Sequence, residues 1–228
     1  MSKIPSINKR SFDQQAADWI RGAMMSGDLA PGTRVTELAL AERIGLSRST
    51  VRAAMQRLAR EGLLVQRAYA GWEVASFSPE DAWELYTLRG ELEGLASKLA
   101  AERLDAVSRR TLVDALNELR TAVEGEDPRS VVEADLGLHR AIVGSAKHQR
   151  LSMLHAQIID PIQLYVLSTN RESFDDLIPV HSALVEAILR GDSADAESLA
   201  RGHVTFSCEQ IVRHLRQLTQ GKRPANPS

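Results

Sequence analysis

Cysteine is nearly absent from this 228-residue chain. Cys208 stands alone, so neither an intrachain disulfide nor a cysteine-rich zinc module can form, and a reducing compartment is expected. Long apolar runs are missing too. No stretch approaches the roughly 18 residues that a membrane span requires, and Met1-Ser2-Lys3-Ile4-Pro5 lacks the apolar core of a secretory signal. The expectation is a soluble, cytoplasmic protein with no membrane partner. Aromatic residues make up only 4% of the chain, which leaves few rings to stack on a flat ligand. Internal repeats and low-complexity tracts are absent, apart from a polar, Pro-bearing tail at 221–228 that is expected to be disordered.

What is present is an ordinary globular balance, 43% hydrophobic and 25% charged, in a chain long enough for two modest cores. The formal net charge of -2 hides an asymmetry: residues 1–76 carry 11 Lys and Arg against 7 Asp and Glu, leaving 17 against 23 for the remainder. A basic first part and an acidic second part are expected when only one half meets a polyanion.

Helical periodicity begins at once, with Phe12, Ala16, Trp19, Ile20 and Ala23 spaced to line one face. Gly27 and Pro31-Gly32 end that helix. A short helix is predicted over 37–44, burying Leu38, Ala41 and Ile44, with Gly45 making the turn that follows. Ser47 offers an N-cap oxygen to a helix over 48–60 that buries Val51, Ala54, Met55 and Leu58. Leu63-Leu64-Val65 and Trp72-Glu73-Val74 read as two strands around an Ala70-Gly71 tip. Three helices and a two-stranded wing make a winged helix-turn-helix, placed at residues 1–76.

A Ser cap, Pro79 at the first helical position and the acids Glu80 and Asp81 open a new helix, which sets the domain boundary. From there only amphipathic helices are predicted, at 81–103, 107–124, 128–145, 148–167, 173–190 and 192–219, punctuated by Gly125, Gly144 and Gly191. Short connections argue for an all-α antiparallel bundle over 77–220, so the fold class is mainly α.

A helix that enters the major groove needs short hydroxyls and arginines near its N-terminus. Ser47-Arg48-Ser49-Thr50-Val51-Arg52 supplies them, with Arg48 and Arg52 one turn apart on one face. Arg34 precedes the second helix and could reach flanking backbone; Gly71 permits close approach to the minor groove, where Arg67 or Tyr69 could add a contact. Each arginine taken singly also reads as a solvated surface charge.

All six histidines fall in the second part. Asp135 and His139 are four residues apart, so both side chains can converge on one ion. His181 and His203 lie 22 residues apart on successive predicted helices and can reach the same depth. Three imidazoles and a carboxylate suit a divalent Zn, Ni, Co or Mn with a coordination position left for a ligand. From the residues alone, surface or core histidines are the commoner reading. Such a set could also activate water, as in a metal-dependent hydrolase, or serve structure only, although no general base stands at a defined spacing and a non-enzyme is expected.

Pro31-Gly32-Thr33-Arg34-Val35 and Leu46-Ser47-Arg48-Ser49-Thr50-Val51-Arg52 resemble the GntR family of bacterial transcriptional regulators over residues 12–75. The resemblance implies that Arg34, Ser47, Arg48, Ser49, Thr50, Arg52 and Gly71 contact the operator. Ala53 stands where the family usually has Glu, and Ala70 where the wing usually has a basic residue, which bears on the half-site sequence. Tyr86-Thr87-Leu88-Arg89-Gly90-Glu91-Leu92-Glu93 and Asp135-Leu136-Gly137-Leu138-His139, with His181 and His203, resemble the FadR-like branch and its FCD-type effector domain over residues 78–215. That likeness implies a divalent metal on Asp135, His139, His181 and His203 at the base of a cavity, and a small organic-acid effector with Arg89 beside it. For Arg89 a surface i,i+4 pair with Glu93 is the alternative. His148, His155 and His214 match no ligand position and read as surface or packing residues, whereas Asn170 and Arg171 are candidates for the cavity mouth. The composite expectation is a homodimeric repressor on palindromic double-stranded operator DNA, modulated by a small aliphatic or sugar-derived acid.

Overall fold

The computed structural model describes residues 10–67, 71–168 and 176–221, and the chain divides into two compact units, 1–76 and 77–228. Among the described residues of the first unit are three helices, α1 (Phe12–Met25), α2 (Glu37–Ile44) and α3 (Arg48–Arg60), and a small sheet of β1 (Arg34–Val35), β2 (Leu64–Arg67) and β3 (Gly71–Val74). The sheet is antiparallel in the order β1-β3-β2, with Arg34 opposite Glu73, Val35 opposite Trp72 and Leu64 opposite Val74. The two wing strands lie close to where the sequence puts them, with β2 starting one residue later and running on to Arg67 and Gly71 opening β3. The third strand is not foreseen: β1 has two residues, too few to display the alternation that marks a strand.

Burial in α3 follows its periodicity, with Val51, Ala54, Met55 and Leu58 wholly inside. The face of α1 is rotated from the expected one: Ala17 and Met24 join Ala16, Ile20 and Ala23 in the core, while Phe12 is 66% exposed. Trp19 is 38% exposed, and its ring lies under the Arg43 guanidinium at 5.3 Å, a cation–π contact that gives the indole a partner outside the core. In α2 the buried leucine is Leu40 and not Leu38, because residues two apart face opposite sides of a helix and the core accepts one of them; Ile44 is half-buried. Thr36 caps α2 by accepting from the Ala39 amide, and Gly45 ends it at φ 73°, a left-handed conformation that favours glycine.

The second unit is helical throughout its described residues: α4 (Pro79–Glu102), α5 (Ala106–Glu124), α6 (Pro128–Ser145), α7 (Gln149–Ser168), α8 (Leu177–Arg190) and α9 (Ser193–Gly221). Ser78 and Asp81 form a reciprocal capping box at the start of α4, each side chain accepting from the other's amide. One core cluster joins α4, α5, α6, α7, α8 and α9 through residues such as Ala100, Leu112, Leu138, Leu151, Leu184 and Ala200, and another gathers Tyr86, Leu136, Ile159, Ile162 and Val204. Gly144 does not end α6, which runs through it to Ser145; the chain turns instead at Ala146 and Lys147, the latter at φ 51°. Helix α9 continues to Gly221, so the first residue of the expected tail is helical, and 222–228 lie outside the described residues. The same holds for the expected start of α8 at 173. No helix among the described residues is long and apolar enough to cross a membrane.

Candidate metal centre and nucleic-acid interface

In the first unit the chemistry gathers at the N-terminus of α3. Ser47 accepts from the Thr50 amide, and its Oγ lies 2.9 Å from Ser49 Oγ and 2.7 Å from Thr50 Oγ1. Ser47, Arg48, Ser49 and Arg52 are exposed and Thr50 is half-buried, so three hydroxyls and two guanidinium groups crowd one helix end whose dipole also favours anions. Arg52 is held from the side by Glu37 at the start of α2. Its Nε donates to Glu37 Oε1 at 2.8 Å and its Nη2 to Oε2 at 2.7 Å, a fork that leaves donors on the outer edge of the guanidinium free to point away. Hydrogen bonding from Arg52 holds the Glu37 carboxyl below its usual range against partial burial. Arg34 sits exposed on β1, and Gly71 opens β3 at φ 83°, across from Arg67, whose Nη2 is 3.4 Å from Glu73. Tyr69 and Ala70 lie outside the described residues. The Glu37 partnership escapes sequence reading because it spans 15 residues and two helices.

In the second unit, α6, α8 and α9 bring His139, His181 and His203 together, each offering a ligand nitrogen within 4.8 Å of the others. Ring centroids lie 5.1 Å apart for His139 and His181, and 4.5 Å for His181 and His203. His139 Nε2 and His181 Nε2 are 3.2 Å apart, and Asp135 Oδ1 is 3.0 Å from His181 Nε2 and 3.9 Å from His139 Nε2. The outer nitrogens define the tautomers. His181 Nδ1 is 2.7 Å from the Leu177 carbonyl, which only accepts, so that nitrogen carries the proton. His139 Nδ1 lies 2.8 Å from Glu93 Oε2, a buried carboxylate oxygen with no hydrogen-bond partner of its own among the described residues, and a carboxylate at that distance favours a proton on Nδ1. Both Nε2 lone pairs therefore point inward, toward each other and toward a carboxylate oxygen. Three buried acceptors converging in this way repel unless a cation lies among them, and that donor set fits a divalent metal.

Electrostatics favour the neutral form at two of the three imidazoles. Burial presses His139 below the ordinary imidazole value despite Glu93, and burial together with His181 and His139 holds His203 well below it. Burial also opposes charge on His181, but Asp135 outweighs it and raises that group. Asp135 is pulled down strongly, the three imidazoles overcoming its desolvation.

Beside this cluster lies a second set of buried polar groups. Arg89 Nε donates to Glu93 Oε1 at 2.7 Å, and the pair is 3% and 2% exposed, so it forms as an i,i+4 pair but in the interior and not on the helix surface. Arg89 also lies over the Tyr86 ring at 5.5 Å, and its Nη2 is buried with no hydrogen-bond acceptor among the described residues. His155, expected at the surface or in packing, is 2% exposed and donates through Nε2 to Glu93 Oε1 at 2.9 Å. Its nearest local signal is none at all, since 62 residues separate it from Glu93. His148 accepts from the Leu151 amide near the start of α7, and His214 is half-buried on α9. Asn170 and Arg171 lie outside the described residues.

A winged helix-turn-helix joined to a helical domain with an interior polar site defines a two-part, DNA-binding regulator. The chain belongs to the gntR family of bacterial regulatory proteins, whose model matches residues 12–74, and carries an FCD domain, matched over residues 84–206. It is a transcriptional regulator with an FCD effector domain. It is similar to the "Probable D-xylose utilization operon transcriptional repressor" of Paenarthrobacter nicotinovorans, 29% identical over 201 residues that cover 87% of this chain and 88% of that protein. The HTH-type transcriptional regulator LutR of Bacillus subtilis (strain 168) is 27% identical over 207 residues, 79% of this chain and 92% of that one. Among solved structures, E. coli McbR/YncC shares the fold with a TM-score of 0.77 at 22% identity, covering 92% of this chain and all of the other, 100%.

Proposed function

We propose that this regulator is a metal-containing, effector-responsive repressor in which Asp135, His139, His181 and His203 hold one divalent cation and Arg89 receives the carboxylate of a small organic acid. The observation that carries the reading is the convergence of two Nε2 lone pairs and Asp135 Oδ1 inside a buried cluster. A bound cation of the borderline kind, Zn, Ni, Co or Mn, would supply positive charge and an open coordination position at that point. Arg89 supports the effector half, because a buried guanidinium nitrogen with no acceptor is costly unless a ligand completes it. The Tyr86 ring is already engaged by that guanidinium, which favours an aliphatic or sugar-derived acid over a flat aromatic one.

At the DNA, Arg48 and Arg52 read base edges, Ser47, Ser49 and Thr50 with Arg34 grip phosphates, and Gly71 brings the wing main chain close to the duplex. The protein acts as a homodimer on a palindromic operator, since one small module makes few phosphate contacts and two-fold symmetry doubles them. Repression is the sign suggested by the name of the Paenarthrobacter nicotinovorans relative. Effector binding changes operator affinity only through a difference in ligand affinity between DNA-competent and incompetent states.

Elemental analysis of the purified protein beside Asp135→Ala, His139→Ala, His181→Ala and His203→Ala variants tests the metal. About one cation per chain, lost from the variants, is expected; wild type free of metal after incubation with Zn and Ni salts overturns it. Mobility shift with Arg48→Ala and Arg52→Ala tests the DNA face, where undiminished affinity counts against the assignment.

A further inference from the structure

Glu93 occupies a position that the metal set and the effector arginine leave unexplained. It is 2% exposed, and three cationic or donor groups from three helices meet on its two oxygens. Oε1 accepts from Arg89 Nε on its own helix α4 and from His155 Nε2 on α7, while Oε2 faces His139 Nδ1 on α6. Burying a carboxylate with a guanidinium carries a desolvation penalty that well-packed apolar side chains would avoid, so such a network is a poor way to gain stability alone. What it does provide is direction. A carboxylate accepts and cannot donate, so each group it touches must present a proton to it.

We propose that Glu93 is the positioning residue that joins the two halves of the sensor site. By accepting from His139 Nδ1 it fixes the tautomer in which Nε2 is a bare lone pair aimed at the cation. By accepting from Arg89 Nε it fixes the guanidinium so that its Nη donors remain for an anion. The two roles share one side chain, so a change that swings the carboxylate toward one partner withdraws it from the other. His155 braces Oε1 from the far side and ties the carboxylate to α7. Outer hydrogen bonds of this kind orient the ring of a metal-bound histidine and raise its basicity.

This inference rests on the metal reading above, and the test separates the two. Full-length protein with 15N-labelled histidine is examined metal-free by long-range 1H–15N correlation, with His139→Gln assigning the resonance. Wild type is expected to show His139 as the single Nδ1–H tautomer, and Glu93→Gln, which can turn an amide N–H toward the ring, a mixture or the Nε2–H form. Zinc affinity, read by competition with a chelating dye, is expected to fall about 10–100-fold in Glu93→Gln, while His181→Ala abolishes uptake. A wild-type His139 in the Nε2–H tautomer overturns the inference however the variant behaves. Zinc affinity and tautomer unchanged in Glu93→Gln overturn it as well, with the metal reading intact. Failure of wild type to take up zinc overturns the metal reading and the coupling together, and the tautomer spectra then decide alone whether Glu93 orients His139.

Discussion

Each unit of the molecule contains an arginine gripped by a glutamate, and the two pairs live in opposite surroundings. The Arg52 and Glu37 side chains are 56% and 16% exposed; Arg89 and Glu93 are 3% and 3% exposed. Water screens the first pair and weakens it, so a phosphate or base edge can compete for the guanidinium at small loss. The second pair has no water to fall back on, and removal of Glu93 strands Arg89. On the proposed reading of the DNA face, the first contact can be exchanged and the second stays. The sharpest way to break that contrast is Glu93→Ala, which leaves Arg89 charged, buried and unpaired. A loss of about 3–5 kcal/mol of unfolding free energy is expected for the helical unit, by urea titration followed by circular dichroism. A loss no greater than that of an ordinary surface substitution would show that the buried pair is not locked.

Arg52→Ala should do the converse. Its unfolding midpoint is expected to match wild type, because the side chain is exposed and its ion pair with Glu37 is open to water. Discrimination among DNA sequences should nevertheless drop on the order of tenfold or more, as expected when a guanidinium fork is withdrawn from a base edge. Selection from a random duplex library, compared between wild type and variant, reads this directly.

Acid separates the units further, because all six histidines lie beyond residue 76. In metal-free protein, burial holds His139 and His203 below the ordinary imidazole value, so the unfolded chain binds protons that the folded state refuses. A depressed folded value gives stability that is present above the unfolded value, near ~6.5, and is lost as pH falls below it. His181 is raised by Asp135 and works the other way, leaving two groups against one. Between pH 7 and 5 the metal-free helical unit should therefore weaken, by at most about 1.4 kcal/mol per pH unit for each net proton taken up. The first unit has no imidazole to titrate, and its lowered Glu37 carboxyl matters only below the ordinary glutamate range, near ~4.3. Hydrogen exchange resolved by peptide mass should show protection falling in 77–221 and holding in 10–67; equal loss in both would contradict the assignment.

How much of this was legible beforehand follows the range of each interaction. The burial of Val51, Ala54, Met55 and Leu58 is written in a 3.6-residue period and needs nothing distant. The choice of Leu40 over Leu38 depends on where the core lies, which an eight-residue helix does not state. Asp135 and His139 are local, one helical turn apart, but spacing alone left His181 and His203 free to lie anywhere on their helices, and family resemblance supplied the rest. The pairing of Arg89 with Glu93 was readable from their separation, whereas its burial was not, since spacing fixes adjacency and says nothing of depth. His155 and Glu37 reach their partners across 62 and 15 residues, and no local pattern announces either.

The smallest expected effect refines the contrast at its weaker end. Glu37→Gln keeps the shape of the side chain and removes the charge that restrains Arg52, so the fold should be indifferent: Glu37 lies at the rim of α2 and its exposed partner can turn to water. The consequence should appear on DNA instead. With a carboxylate gone from the helix end and Arg52 released, affinity for a random 30-bp duplex should stay level or rise slightly, because one negative charge no longer opposes the phosphates. Preference among sequences should blur at the same time, since a freely rotating guanidinium meets phosphates and bases alike. Filter binding to the random duplex beside library selection measures the two quantities independently. If specific and random binding weaken together, Glu37 supports the fold of the helix-turn-helix more than the aim of Arg52, and the exposed pair is less exchangeable than its surroundings imply.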